Sequence, residues 1–134
     1  MDFVEVAVGA WLRDGKIFLG QRRNEGSQAM RWELPGGTRE NNESFEEALI
    51  REWKEELNLD VLPGELLGSH TVPAGKRKAR IVVFRLDVKD ENSLEENYHL
   101  GTGWYDRFSV DQLDVASGSL PFIKKLLRAE PVKV

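Results

Sequence analysis

Between Leu34 and Leu59 the chain reads LPGGTRENNESFEEALIREWKEELNL. Glu52, Glu55 and Glu56 stand three or four residues apart, so on a helix they share one side. Carboxylates in such an arc are hard oxygen donors on one rigid element, a set suited to Mg²⁺ or Mn²⁺. Mg²⁺ keeps several waters and shares its shell with substrate phosphates. The chemistry that follows is neutralisation of a diphosphate and a lowered pKa for a bound water. One free carboxylate can orient or deprotonate that water. Arg51 stays protonated and so cannot be the base. The acidic arc alone is weak evidence of a site. A Glu-x-x-Glu-Glu run is commonly a solvated helix face, and each like-charge contact costs only ~0.2–0.5 kcal/mol. Pro35-Gly36-Gly37 upstream, at a fixed offset, adds the specificity.

A helix must carry these carboxylates. Ser44 starts it, and Ser44 with Glu47 fits a capping box. Phe45, Leu49 and Trp53 recur at helical spacing, with Ile50 and Leu57 widening the apolar stripe beside the acidic arc. Asn58 is placed to end the helix in the left-handed conformation. Around it, Phe3 to Leu12 reads as a strand and Asp14-Gly15 as a hairpin turn. Lys16 to Gln21 is the returning strand. Residues 22–31 form a polar loop, and 31–34 a short strand ended by Pro35 and the glycines. Residues 60–72 read as strand, turn at Pro63-Gly64, strand. Residues 71–80, with Lys76, Arg77, Lys78 and Arg80, form a hairpin tip. Ile81 to Val88 is a clear strand, 89–97 an acidic loop, 103–105 a short strand and 109–113 a helical turn. Leu120 to Arg128 is a terminal helix with Pro121 in its first turn. This order predicts an α+β or layered α/β/α domain with a mixed sheet.

At 134 residues a single domain over 1–134 is expected. With no cysteine, disulfides, thiolate zinc sites and cysteine nucleophiles are all excluded. A net charge of −4 gives no support for a nucleic-acid polymer as partner, while leaving room for a small anion held by a local cation. The acidic N-terminus differs from a signal peptide, and no apolar stretch approaches the ~20 residues that cross a bilayer, so a cytoplasmic protein without a membrane partner is expected. Nothing in one chain marks it as monomer or homodimer.

From Gly37 the spacing is five residues, Glu43, seven residues, Arg51-Glu52, then Glu55-Glu56 and Leu59. This run, about 37–59, resembles the Nudix box, and the order of elements resembles small MutT-like members. Trp53 stands where that family has a smaller aliphatic, and Asn58 where it has glycine. The resemblance implies the Nudix fold, an α/β/α sandwich with a mixed sheet, a central Nudix helix and a C-terminal helix. It implies Mg²⁺-dependent hydrolysis of a nucleoside triphosphate or related nucleoside diphosphate-linked compound, giving nucleoside monophosphate and pyrophosphate. Glu52, Glu55, Glu56 and the Gly36 carbonyl would be metal ligands. Arg51 would pair with Glu43, and Gly37 would be structural. Arg23 matches a phosphate-contacting position but is equally an exposed loop arginine. For a further carboxylate the family pattern lands on Tyr98, with Glu96 or His99 as substitutes. Ser119 falls nearest the base-reading position. Trp11, Trp32 and Tyr105 are aromatic enough to stack a base but read better as core, and the basic hairpin reads as solvated. His70 reads as a strand histidine. The rival substrates are a nucleotide sugar, ADP-ribose or a dinucleoside polyphosphate, which usually need extra loops or an N-terminal segment not apparent here. A non-catalytic nucleotide sensor is the other class. Isoprenoid isomerisation would need a cysteine.

Overall fold

The computed structural model describes residues 3–129. Its strands are β1 (Phe3–Ala10), β2 (Leu12–Arg13), β3 (Lys16–Gln21), β4 (Trp32–Glu33), β5 (Gly36–Thr38), β6 (Val61–Ala74), β7 (Arg77–Val88) and β8 (Gly101–Asp106). Its helices are α1 (Phe45–Leu57) and α2 (Leu120–Ala129). One sheet has the order β5-β1-β7-β6, with β1 parallel to β7 and the other pairs antiparallel. In the second, β3 pairs with β2, β4 and β8, all antiparallel. The mixed sheet and the two helices are those expected of an α+β fold.

Period-two alternation explains the layers. In β1, Ala7 faces one side while Val8 and Ala10 face the other; in β7, Val82, Phe84 and Leu86 oppose Val83. One face packs on Leu49, Trp53 and Leu57 of α1, the other on Phe122, Ile123 and Leu127 of α2. The result is an α/β/α sandwich. Among the described residues no helix is long and apolar enough to cross a membrane.

The helix α1 begins as its sequence dictates. Ser44 Oγ accepts from Glu47 N–H, and the Glu47 carboxylate accepts from Ser44 N–H. Asn58 ends it at φ 54°, where an amide side chain is better tolerated than most. The stripe is narrower than its pattern suggests. Ile50 is 41% exposed, and Ala48 is buried instead. Trp53 is wholly buried and has a roomy site, because Gly9 opposite has no side chain: a Cβ there would stand 2.3 Å from Leu86 Cδ2 and 3.1 Å from the indole. Trp53 Nε1 donates to the Pro35 carbonyl at 2.9 Å, which ties α1 to the segment before the glycines.

Four local expectations need correction. Gly36 and Gly37 belong to a strand rather than a turn, pairing with Val8 and Ala7 of β1. Space explains glycine there, since a Cβ on Gly36 would lie 2.0 Å from the Ala7 carbonyl oxygen. Pro63-Gly64 is an irregularity inside one long strand, β6. Because β6 is at the sheet edge, a residue without an N–H is accommodated there. The hairpin turns only at Gly75 and Lys76, and its strands run up to Ala74 and Arg77. The last strand, β8, is longer at both ends than expected, because its full length pairs with β3.

Candidate active site

A cleft of about 570 Å³ opens between β5, α1 and the segment after β7. Glu52, Glu55 and Glu56 of α1 line one wall, and Gly36, Gly37 and Thr38 of β5 another. The acidic arc therefore faces a cleft rather than open solvent. Gly37 lets it do so: a Cβ there would stand 2.4 Å from the Glu52 carboxyl carbon.

Arg51 is the hub of the acidic wall. Its Nε donates to Glu43 Oε2 at 2.7 Å and its Nη2 to Glu43 Oε1 at 3.0 Å, a two-pronged pair. Nη2 also donates to the Thr38 carbonyl, and Nη1 to Glu52 Oε1 at 2.9 Å. Hydrogen bonding from Arg51 holds the Glu43 carboxyl down at about 2, and hydrogen bonding to Glu43 raises the Arg51 pKa. The loop before α1 is thus fastened to α1 and β5 together.

Glu56 is the outlier. It is 8% exposed, and its Oε2 is buried with no hydrogen-bond partner. Burial, reinforced by Glu52 and Glu33, pushes its pKa up to about 9. Among the described residues no three acidic or histidine side chains converge closely enough to ligate one ion as they stand. Glu52 is turned toward Arg51, and the Glu55 side chain is largely exposed. The donor set still fits a divalent cation. It consists of hard oxygens on one helix, with a buried oxygen that lacks a hydrogen-bond partner.

Two cleft residues escaped the sequence reading. Glu33 of β4 presents a carboxylate that accepts from Arg22 Nη1 at 2.9 Å and lies 3.1 Å from His99 Nε2. Arg22 lines the cleft beside it. Burial works against the Arg22 charge, yet Glu33 outweighs this and raises its pKa. The only signal for either residue was adjacency to a turn or to Leu34. His99 is buried, and its ring occupies space left by Gly20, where a Cβ would come within 2.5 Å.

The other site candidates scatter. Arg23 does not reach the cleft wall. Its Nε donates to the Tyr98 carbonyl at 2.7 Å, its Nη2 to the Asn97 carbonyl at 3.2 Å, and its guanidinium covers the Tyr98 ring at 4.7 Å. The chain alternates direction as it leaves β3, so Arg22 turns inward and Arg23 outward. Glu96 is exposed and lines no part of the cleft; Asn97 and Tyr98 do. Hydrogen bonds from Glu95 and Asn97 N–H to the Leu57 and Glu56 carbonyls set that register. Burial raises the Tyr98 pKa.

Ser119 is buried, and its Oγ accepts from Leu34 N–H at 3.0 Å. It borders a second cavity of about 270 Å³, which shares Val6, Val8, Arg22, Glu33 and Leu34 with the first. Trp11 lies in the core against Phe18 and Trp104, while Trp32 packs edge-on to Tyr105. Trp11 is buried, whereas Trp32 and Tyr105 are half-buried. His70 stacks on Phe122 at 4.7 Å, a packing role. Arg77 donates to the Phe3 carbonyl.

The comparisons with known proteins agree with this geometry. A family model described as "NUDIX domain" matches residues 4–126. A CTP pyrophosphohydrolase of Escherichia coli is 31% identical over 128 residues, covering 95% of this chain and 93% of that protein. The solution structure of the E. coli ORF135 protein superposes with a TM-score of 0.81 at 32% identity, covering 96% of this chain and 93% of that one. A MutT protein of Methanosarcina mazei shares the fold at a TM-score of 0.75 and 21% identity, covering 95% of this chain and 94% of that one. A cleft walled by helix glutamates and paired glycines, on a fold and family match spanning almost the whole chain, makes this protein a MutT-like member of the Nudix family, whose enzymes hydrolyse phosphoric anhydrides.

Proposed function

We propose that the chain is a Mg²⁺-dependent nucleoside triphosphate pyrophosphohydrolase, with Mn²⁺ as a substitute. The observation that carries this reading is the acidic wall with its unpartnered buried Glu56 Oε2, placed beside a second cavity of a size to receive a base. Glu52, Glu55, Glu56 and the Gly36 carbonyl would hold the ion. Bound there, it would neutralise diphosphate charge and acidify a water. Arg51 keeps Glu52 and the Glu43 loop in place. Arg22, the arginine inside the cleft, supplies positive charge toward the phosphate chain. Water adds to a phosphorus of the chain, and pyrophosphate leaves with nucleoside monophosphate as the other product. The full-length relative is named for CTP, so CTP heads the nucleotides to try.

The test is a hydrolysis panel of normal and oxidised nucleotides, with and without Mg²⁺, in which pyrophosphate and orthophosphate are measured separately. Pyrophosphate release that EDTA abolishes is expected. Orthophosphate alone would overturn the proposed cut. Glu55→Gln and Glu56→Gln should each lower kcat at least ~100-fold while leaving the fold intact, as expected when a group acting on the transition state is removed. Near-normal turnover in either would remove that residue from the metal set.

A further inference from the structure

The two cavities share a border of Val6, Val8, Arg22, Glu33 and Leu34. A nucleotide with its phosphates at the acidic wall and its base in the second cavity has to cross that border. Arg22 and Glu33 are the charged groups there, and Arg22 Nη1 donates to Glu33 Oε1 at 2.9 Å. By itself this contact leaves Glu33 free to swing, because the terminal carboxylate torsion is broad. The other oxygen, Oε2, lies 3.1 Å from His99 Nε2. Two donors on opposite oxygens fix the carboxylate plane, and with it the guanidinium that rests against it.

The histidine is itself immobilised. Its side chain is wholly buried. Gly20 pairs with Glu33 across β3 and β4, and a Cβ on Gly20 would stand 2.5 Å from His99 Cδ2, so the ring fills the place of a side chain beside Glu33. The Tyr98 ring stands edge-on to it at 5.1 Å. The backbone is tied on both sides: Leu100 N–H donates to the Gln21 carbonyl at 3.0 Å, and Arg23 donates to the Asn97 and Tyr98 carbonyls. The tautomer follows from the partners. A carboxylate paired with a guanidinium accepts and does not donate, so Nε2 carries the proton. Nδ1 is buried without a partner, and a proton moved there would be an orphan N–H.

We infer that His99 is a positioning residue: it aims Glu33, and through Glu33 it holds the Arg22 guanidinium at the junction of the two cavities, ready for the phosphate next to the nucleoside. This rests on the nucleotide reading above and deepens it. His99 lines neither cavity, so its effect passes through the pair it orders. An arginine already held in its binding geometry loses less side-chain freedom when a phosphate arrives. That gain is the same for ground state and transition state, so it falls on KM and not on kcat.

His99→Leu removes the donor, and His99→Gln returns an amide N–H toward Glu33. In His99→Leu, KM for the best-hydrolysed nucleotide should rise ~10-fold with kcat little changed, the worth of one hydrogen bond to a charged group. His99→Gln should recover most of that loss. In an Arg22→Met background His99→Leu should add nothing, since residues that act through one another are not additive. Additive effects, or Leu and Gln variants impaired alike, overturn the inference and leave the pyrophosphohydrolase reading intact. NMR gives a readout that needs no turnover. The wild type should carry a proton on His99 Nε2, a measurement that stands even if His99→Leu fails to fold. The Arg22 Nε–H resonance should keep its position in His99→Gln and move in His99→Leu. A bare Nε2, or an Arg22 resonance indifferent to both substitutions, sinks the inference. If the wild type hydrolyses no nucleotide, the nucleotide reading has failed, and these spectra alone decide whether His99 holds Arg22.

Discussion

At the scale of single residues, Glu56 and Glu43 place acid near the cleft in opposite environments. Glu43 is answered by two prongs of Arg51, which favour its ionised form, whereas burial and the nearby Glu52 and Glu33 favour the protonated form of Glu56. A raised folded pKa means stability that is full below the ordinary carboxyl range and lost as pH climbs through the folded value. The metal-free protein should therefore lose stability between about pH 4.5 and about 9 on account of Glu56. Glu56→Gln should remove that loss. In EDTA the variant should melt above the wild type at pH 9 and lose the advantage toward pH 4.5. Equal melting curves across this range, followed by scanning fluorimetry, would show that Glu56 ionises freely without metal.

At the scale of elements, α1 is positioned by three separate devices. The Ser44–Glu47 box sets its start, Trp53 hooks it to Pro35, and Asn58 both ends it and donates to the Ser93 carbonyl beyond β7. The segment carrying Asn97 and Tyr98 is drawn over the cleft by the same helix end. Strand β5 completes the wall because Gly37 leaves room for Glu52. Gly37→Ala should therefore act on the site more than on the fold. A methyl 2.4 Å from the Glu52 carboxyl carbon has to displace that side chain. We expect kcat to fall at least ~10-fold, as for a catalytic group moved by about an ångström, with a small change in melting temperature. A fall in stability with activity per folded molecule unchanged would mean that the strand yielded instead of Glu52. Ile50 shows what periodicity cannot see: it keeps helical register with Trp53 yet stays 41% exposed, while Ala48 is buried.

At the scale of the whole molecule, cation, proton and stability are linked. A carboxyl held protonated must release its proton when a cation takes its place. Mg²⁺ binding should therefore release protons at neutral pH, tighten as pH rises toward about 9, and raise the melting temperature. Calorimetry in buffers of different ionisation enthalpy reads the proton count directly. Binding without proton release would place the ion away from Glu56. By itself the sequence determined the helix, its caps, the acidic arc, the Glu43–Arg51 partnership and the family, because these depend on local spacing within one contiguous run. It also determined the layered class, through alternation in the strands and one strong amphipathic helix. Only the tertiary structure decided that Arg22 and not Arg23 enters the cleft, that Glu33 joins the acids, and that Glu96 stays outside. It alone showed that the buried Ser119 hydroxyl accepts from Leu34 N–H. Each of these depends on which strand or loop from far along the chain supplies the partner, such as Asn97 and Tyr98 for Arg23 or Ser119 for Leu34. Residue types and spacing hold no record of that pairing, because it is set when the two sheets and their crossing segments close on one another.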